Sequence, residues 1–272
     1  MTDDASRTLA HSLSHSLSDG VLHGVDFSGG DRPEGKIWVA THDTTHLEAP
    51  VRLRRGFDHN ALVELIAASR GDGRRHLWRI DAPFGLALEM IDAHGLDHDW
   101  RAVAEWMAAF GSPREWRTAC RIVSRREPRR ATDRIAHTPM APSNLRIFKQ
   151  TWSVIVRVLL PLLERGIRIE PVAGPIESTV VVAEGCPSSI LRANEWPARG
   201  YKGRGTPPRL VREELLRRIS KSGIPLPKPI VAMATDDTEG DGVDALLLLL
   251  PPTNAVVPAE EEHSARVEAW VF

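Results

Sequence analysis

Three apolar segments constrain this chain most. VLHGVD (21–26), HLWRID (76–81) and STVVVAE (178–184) each run through aliphatic, β-branched or aromatic residues into one acid and then stop. The first enters Ser28-Gly29-Gly30, the second meets Pro83 and Gly85, and the third meets Gly185 and Pro187. β-Branched runs suit a pleated, buried surface, and proline has no N–H with which to extend a ladder. The pattern predicts three buried strands, each carrying a carboxylate at or near its carboxyl end: Asp26, Asp81 and Glu184.

The segments between them set the order. KIWVAT (36–41) and APVRLR (49–54) read as two further strands in an antiparallel meander with the first. Asp58 is placed to cap a helix carrying Leu62, Leu65 and Ile66, which ends at Gly71. Residues 144–165 repeat apolar side chains at spacings of three and four up to Gly166 and predict the most clearly marked helix of the chain. Residues 210–219 and 241–250 predict two more, the last stopped by Pro251-Pro252, and 267–272 predict a short edge strand. The stretch 88–142, with Trp-rich helical patterns at 100–110 and 114–124, interrupts this order as a helical insertion. The result is an α/β chain in RNase H-like order: a mixed five-stranded sheet with helices on both faces and an insertion after strand four. Residues 20–272 are expected to form this one domain, behind a disordered tail over 1–19.

Composition narrows the classes. Hydrophobic residues at 42% and charged residues at 26% are ordinary for a globular chain and argue against wholesale disorder. The longest apolar run, 245–250, is far short of the roughly 20 residues of a spanning helix, and the first residues lack the apolar core of a secretion signal. No membrane partner is expected. Cys120 and Cys186 form neither a disulfide framework nor a zinc-type pair, which suits a reducing, cytoplasmic setting. Net charge is −1, so no overall basic signature marks a nucleic-acid binder. Locally, residues 112–134 hold eight Arg against three acids, residues 199–221 hold eight Lys or Arg against two, and residues 236–262 hold eight acids without a base. Solvated helix faces produce such runs as well.

In an open α/β sheet, sites lie at the carboxyl ends of the strands. Asp26, Asp81 and Glu184 end strands there, and Asp241 and Asp244, three apart on one face of the last helix, point to the same edge. An acid after a strand also commonly caps the next turn. Several acids together repel, and a hard divalent cation with oxygen ligands, Mg²⁺ or Mn²⁺, relieves that repulsion. Two such ions suit hydrolysis of a phosphodiester.

GVDFSGG (from Gly24), IDAPFGL (from Ile80), RRATD (ending at Asp133), AEGCPSSILR (from Ala183), RGYKG (from Arg199), GVDAL (from Gly242) and the terminal EAWVF occur in that order. The set resembles the marker blocks of domain-of-unknown-function family 429, a family of predicted nucleases with an RNase H fold, over Leu22 to Phe272. The resemblance implies that fold and an acidic catalytic site at Asp26, Asp81, Glu184 and Asp244. It departs at Cys186, where the family often has an aromatic residue. The pair Asp241 and Asp244 also resembles the paired acids on the last helix of Holliday-junction resolvases.

Lys202, Arg209 and Arg130 are candidate substrate contacts, Arg130 equally a structural partner of Asp133. Tyr201 either stacks on a base or packs its loop. Ser28, Gly29 and Gly30 can present amides to a phosphate or simply form a turn, and the neighbouring Asp31 and Glu34 disfavour the first use. His11/His15 and His42/His46 have helical ligand spacing but lie in a polar tail and a hairpin. P-loop, zincin and α/β-hydrolase motifs are absent. The leading expectation is a metal-dependent nuclease acting on DNA or RNA. The alternative is a non-catalytic module of the same fold that binds nucleotide, nucleic acid or protein. Phosphoryl transfer as in sugar kinases ranks third, because those enzymes use two copies of this core.

Overall fold

A computed structural model describes residues 20–30, 36–46 and 49–272. The expected tail over 1–19, with His11 and His15, and the acids Asp31 and Glu34 lie outside the described residues.

The chain is α/β, built on a mixed sheet of β1 (Val21–Asp26), β2 (Ile37–Asp43), β3 (Arg52–Phe57), β4 (His76–Asp81), β5 (Arg168–Glu170) and β6 (Val180–Gly185) in the order β3-β2-β1-β4-β6-β5. β1, β2 and β3 form the expected antiparallel meander, and β4, β6 and β5 add parallel to β1. The sheet has six strands, not five. The extra one, Arg168–Glu170, is three residues long and mostly charged, so it shows no apolar pattern. It is nevertheless buried, pairs with Val181 to Ala183, and joins Arg168 to Glu170 by an ion pair of 2.6 Å.

Successive side chains on a strand face opposite sides, so each strand serves two cores. Val25, Trp78, Ile80, Val180 and Val182 belong to one apolar cluster. Leu22, Leu77, Val181 and Ala183 belong to the other. The first cluster is completed by α1 (His59–Ala68), by the insertion helices α2 (Leu88–Ala93), α3 (Trp100–Ala108) and α4 (Pro113–Val123), and by the long helix that follows the insertion. Between α4 and that helix lies the short α5 (Ala131–Ile135). The long helix, α6, begins at Phe148–Val154 and continues through a π-helical stretch, Ile155–Leu159, into Leu160–Glu164. Pro161 has no N–H to give to the ladder, and the helix widens over the turn before it. The second cluster is completed by α7 (Pro187–Ala193), α8 (Thr206–Lys221), α9 (Lys228–Asp236) and α10 (Asp241–Leu247).

Asp58 caps α1 as expected, its carboxylate accepting from the Ala61 N–H at 2.6 Å. Trp100 and Trp116 of the insertion are buried, and Trp100 Nε1 donates to the Phe84 carbonyl at 2.6 Å, so the insertion shares the core of the sheet. The predicted edge strand over 267–272 is mostly absent. Helix α11 (Glu262–Glu268) takes its first residues, and only Val271 bridges Glu184, with the Phe272 N–H donating to the Glu184 carbonyl. Buried Arg79 on β4 donates to the carbonyls of Leu248, Leu250 and Phe272, tying the end of α10 and the last residues to the sheet. No helix among the described residues is long and apolar enough to cross a membrane.

Candidate metal centre

Asp26 and Asp81 are register partners at the ends of the parallel strands β1 and β4. Both continue the face of Leu22 and Leu77, the face covered by α10. Gly24, two residues before Asp26, lets that helix come close: a Cβ there would stand 2.0 Å from the Ala245 carbonyl oxygen and 2.8 Å from Leu248 Cβ. Ala245 directly follows Asp244, so this approach brings the Asp244 carboxylate over the strand ends. Carboxylate oxygens of Asp26, Asp81 and Asp244 all lie within 4.8 Å of one another.

Their surroundings differ. Asp244 is buried and satisfied: Tyr201 Oη donates to Oδ1 at 2.8 Å, and Lys202 Nζ pairs with Oδ2 at 2.7 Å. The carboxylates of Asp26, 9% exposed, and half-buried Asp81 accept no hydrogen bond from any described residue. Burial and the neighbouring acids, Asp244 first, push Asp26 well above the usual carboxylate range. The same causes bring Asp81 to about 8. Asp244 is also raised by burial, against the opposing pull of Lys202 and Tyr201. Asp241, at the first turn of α10, lines the same cleft and is lifted to about 6 by burial and Asp237.

Glu184, one residue before the end of β6, lines the same cleft but lies outside this group of three. Its register partner on β4 is Ile80, whereas Asp81 faces Gly185. A one-residue offset reverses the face of a side chain, so Glu184 projects into the other side of the sheet. There the fully buried Arg130 grips it with Nη1 and Nη2 at 2.7 and 2.6 Å, and the Phe84 N–H donates to it at 2.8 Å. Arg130 also donates to both oxygens of Asp133, at 2.8 to 3.1 Å. Burial raises Glu184, and Arg130 opposes that rise. This knot fastens α5 of the insertion to β6.

Of the candidate substrate contacts, Lys202 and Arg130 line the cleft. Arg209 lies on α8, exposed, paired with Glu213 at 3.0 Å and Asp236 at 2.7 Å, and is not part of the cleft wall. Tyr201 is buried with its hydroxyl on Asp244, so it orients an acid and packs its loop. Gly29 serves close packing: a Cβ would stand 2.2 Å from Gln150 Cα, and its carbonyl accepts from Ser153 Oγ.

Gln150 is a site residue that no local pattern announces. From α6, its Nε2 donates to the carbonyls of Phe27 at 2.7 Å and Asp81 at 2.6 Å, joining the two strand ends beneath the acids. Arg212 is another. Buried in α8, it donates to the carbonyls of Tyr201, Gly203 and Thr235 and so holds the loop that presents Lys202. The cleft encloses about 540 Å³, and Lys36, Arg146 and Lys149 share its wall with the acids. Comparison of the chain with protein-family models, curated proteins and solved structures returns no match in any of the three.

Proposed function

We propose that this protein is a Mg²⁺- or Mn²⁺-dependent phosphodiesterase that cleaves nucleic acid, on an RNase H-like scaffold of the kind found in the predicted nucleases it resembles. The observation that carries this reading is the pair Asp26 and Asp81, two unpartnered carboxylates held against a third on Asp244. Three acids in so small a space repel one another, and the donor set is all carboxylate oxygen, which fits a hard divalent cation. The sheet order β3-β2-β1-β4-β6, with the acids at the carboxyl ends of β1 and β4 and on a closing helix, supports the scaffold.

Asp26, Asp81 and Asp244 would hold the metal, with Asp241 at the outer edge. When bound, such an ion polarises a phosphoryl oxygen and lowers the pKa of a coordinated water. The chain's own residues do the rest. Gln150 fixes the separation of the strand ends that carry Asp26 and Asp81. Tyr201 orients Asp244. Lys202 supplies a positive charge beside the acids, and Lys36 and Arg146 offer charge to phosphates along the wall. Asp241, near 6, is able to accept a proton around neutral pH. Glu184 is assigned to anchoring the insertion through Arg130.

The test is cleavage of a labelled panel of single- and double-stranded DNA, RNA, hybrids and junctions in Mn²⁺ and Mg²⁺. Metal-dependent cleavage by the wild type and its loss in Asp26→Asn is the expected result. Absence of cleavage by a metal-loaded wild type would turn the assignment to the non-catalytic binding module, which the net charge of −1 suits better.

A further inference from the structure

The insertion carries more positive charge than its fold uses. Between residues 112 and 134 each of the three acids is already engaged. Glu115 accepts from the Gly111 N–H and Ser112 Oγ, Glu127 takes Arg117 and Asn144, and Asp133 takes Arg130. Arg117 and Arg130 are thereby used inside the structure. Arg114, Arg121, Arg125, Arg126, Arg129 and Arg134 remain, all exposed and none in an ion pair with a described carboxylate.

One end of this stretch, at Arg129 and Arg134, adjoins the cleft. Arg129 and Arg134 flank Arg130 and Asp133, which line it, and Arg129 Nη2 donates at 2.9 Å to the carbonyl of Pro139, a residue of the cleft wall. Six exposed like charges outnumber the carboxylates beside them, Glu115 and Glu268, so they repel one another, and a polyanion relieves that repulsion. The cluster is made wholly of arginine, whose planar fork suits bidentate contact with phosphate. Its place beside the carboxylate site favours a polymer that runs from the surface into the cleft.

We infer that the exposed arginines of the insertion form a docking surface for the phosphate backbone of the nucleic acid whose phosphodiester enters the acidic cleft. The inference rests on the nuclease reading for its partner but uses none of the same residues. It also explains how a chain of net charge −1 holds a polyanion: an excess of positive charge is concentrated locally in the insertion.

The test is binding of labelled DNA and RNA, single- and double-stranded, to the full chain in EDTA, where no metal contributes, across a salt series. The wild type is expected to bind with a steep salt dependence. Arg121→Ser/Arg125→Ser/Arg126→Ser, three exposed positions that leave the packed residues intact, is expected to weaken binding by about tenfold or more. On duplex DNA its salt slope should be shallower by about 0.9 for each phosphate that the variant no longer neutralises. A triple variant with wild-type affinity and slope overturns the inference, as does binding to vesicles of anionic lipid without binding to nucleic acid. Loss of cleavage in Asp26→Asn beside an unchanged triple variant removes this inference alone. A salt slope that depends on the arginines, in a protein that cleaves nothing, removes the nuclease reading alone.

Discussion

Asp26 and Asp81 face each other in register at the ends of two parallel strands, and neither carboxylate has a hydrogen-bond partner among the described residues. Buried acids are ordinarily paired, and here the pairing is missing at the point where a third acid is brought in. The cost of this arrangement must appear in the protein's stability, and its relief must come from bound protons or from a metal cation.

The first consequence is a dependence on pH. Asp81 lies near 8 in the folded protein against 3.8 ordinarily, so the folded state holds its proton more tightly than the unfolded chain. Its contribution to stability is therefore fully present below about 4 and is lost as pH rises through 8. In EDTA, melting temperature should fall by several degrees between pH 6 and pH 9, and added Mn²⁺ should restore more of it at pH 9 than at pH 6. A melting series at the two pH values with and without Mn²⁺ measures this. A Mn²⁺ effect independent of pH would contradict it.

Removing one charge should stabilise the metal-free protein. Asp81→Asn keeps the shape and ends the repulsion with Asp26 and Asp244, so at pH 9 in EDTA it should be more stable than the wild type by about 1–3 kcal/mol. At pH 3 the two should be nearly equal, because the wild-type carboxyl is then protonated in both the folded and the unfolded chain. Urea unfolding at both pH values decides the matter, and a variant less stable than the wild type at pH 9 would show that Asp81 has a partner in the folded state.

Lys202 stands where a cation is needed, 2.7 Å from Asp244 Oδ2 and half exposed. Its ammonium competes with a metal for that oxygen. Lys202→Met should bind Mn²⁺ about tenfold more tightly, roughly 1.4 kcal/mol, while cleaving more slowly for want of a charge beside the phosphate. Calorimetric titration gives the first quantity and single-turnover cleavage the second. Weaker Mn²⁺ binding by the variant would rule out the competition.

Glu184 should behave as a structural residue. Glu184→Gln discards a charge from the Arg130 knot and should destabilise the fold by about 1–3 kcal/mol. Its Mn²⁺ affinity should stay within about threefold of the wild type, under 1 kcal/mol. A drop in affinity as large as that of Asp81→Asn would return Glu184 to the metal site.

The strands that carry Asp26 and Asp81 are legible in the sequence because an apolar run ending in an acid beside glycine or proline leaves few other readings. Asp244 is legible through its three-residue spacing from Asp241 on a helix that must cover the sheet. Glu184 has the same local pattern, yet its face depends on whether Asp81 registers with residue 184 or 185, and register between strands about 100 residues apart leaves no mark on either one. Arg168–Glu170 escapes notice as a strand because its burial comes from pairing and an ion pair, not from apolar side chains. Gln150 and Arg212 act on carbonyls distant in the chain, and a backbone acceptor has no residue type to reveal it. The insertion's arginines are plain in the sequence, but which of them lack an acid is visible only once Glu115, Glu127 and Asp133 have found their partners.

That Asp26, Asp81 and Asp244 form one divalent metal centre is tested by calorimetric titration of Mn²⁺ into the wild type, Asp26→Asn and Asp81→Asn at pH 8, with unfolding curves to establish that all three are folded. Saturable binding by the wild type is expected, weakened by about a hundredfold or more in each variant, a difference of roughly 2.7 kcal/mol. Equal binding by all three proteins, or no binding by a folded wild type, would refute the shared centre.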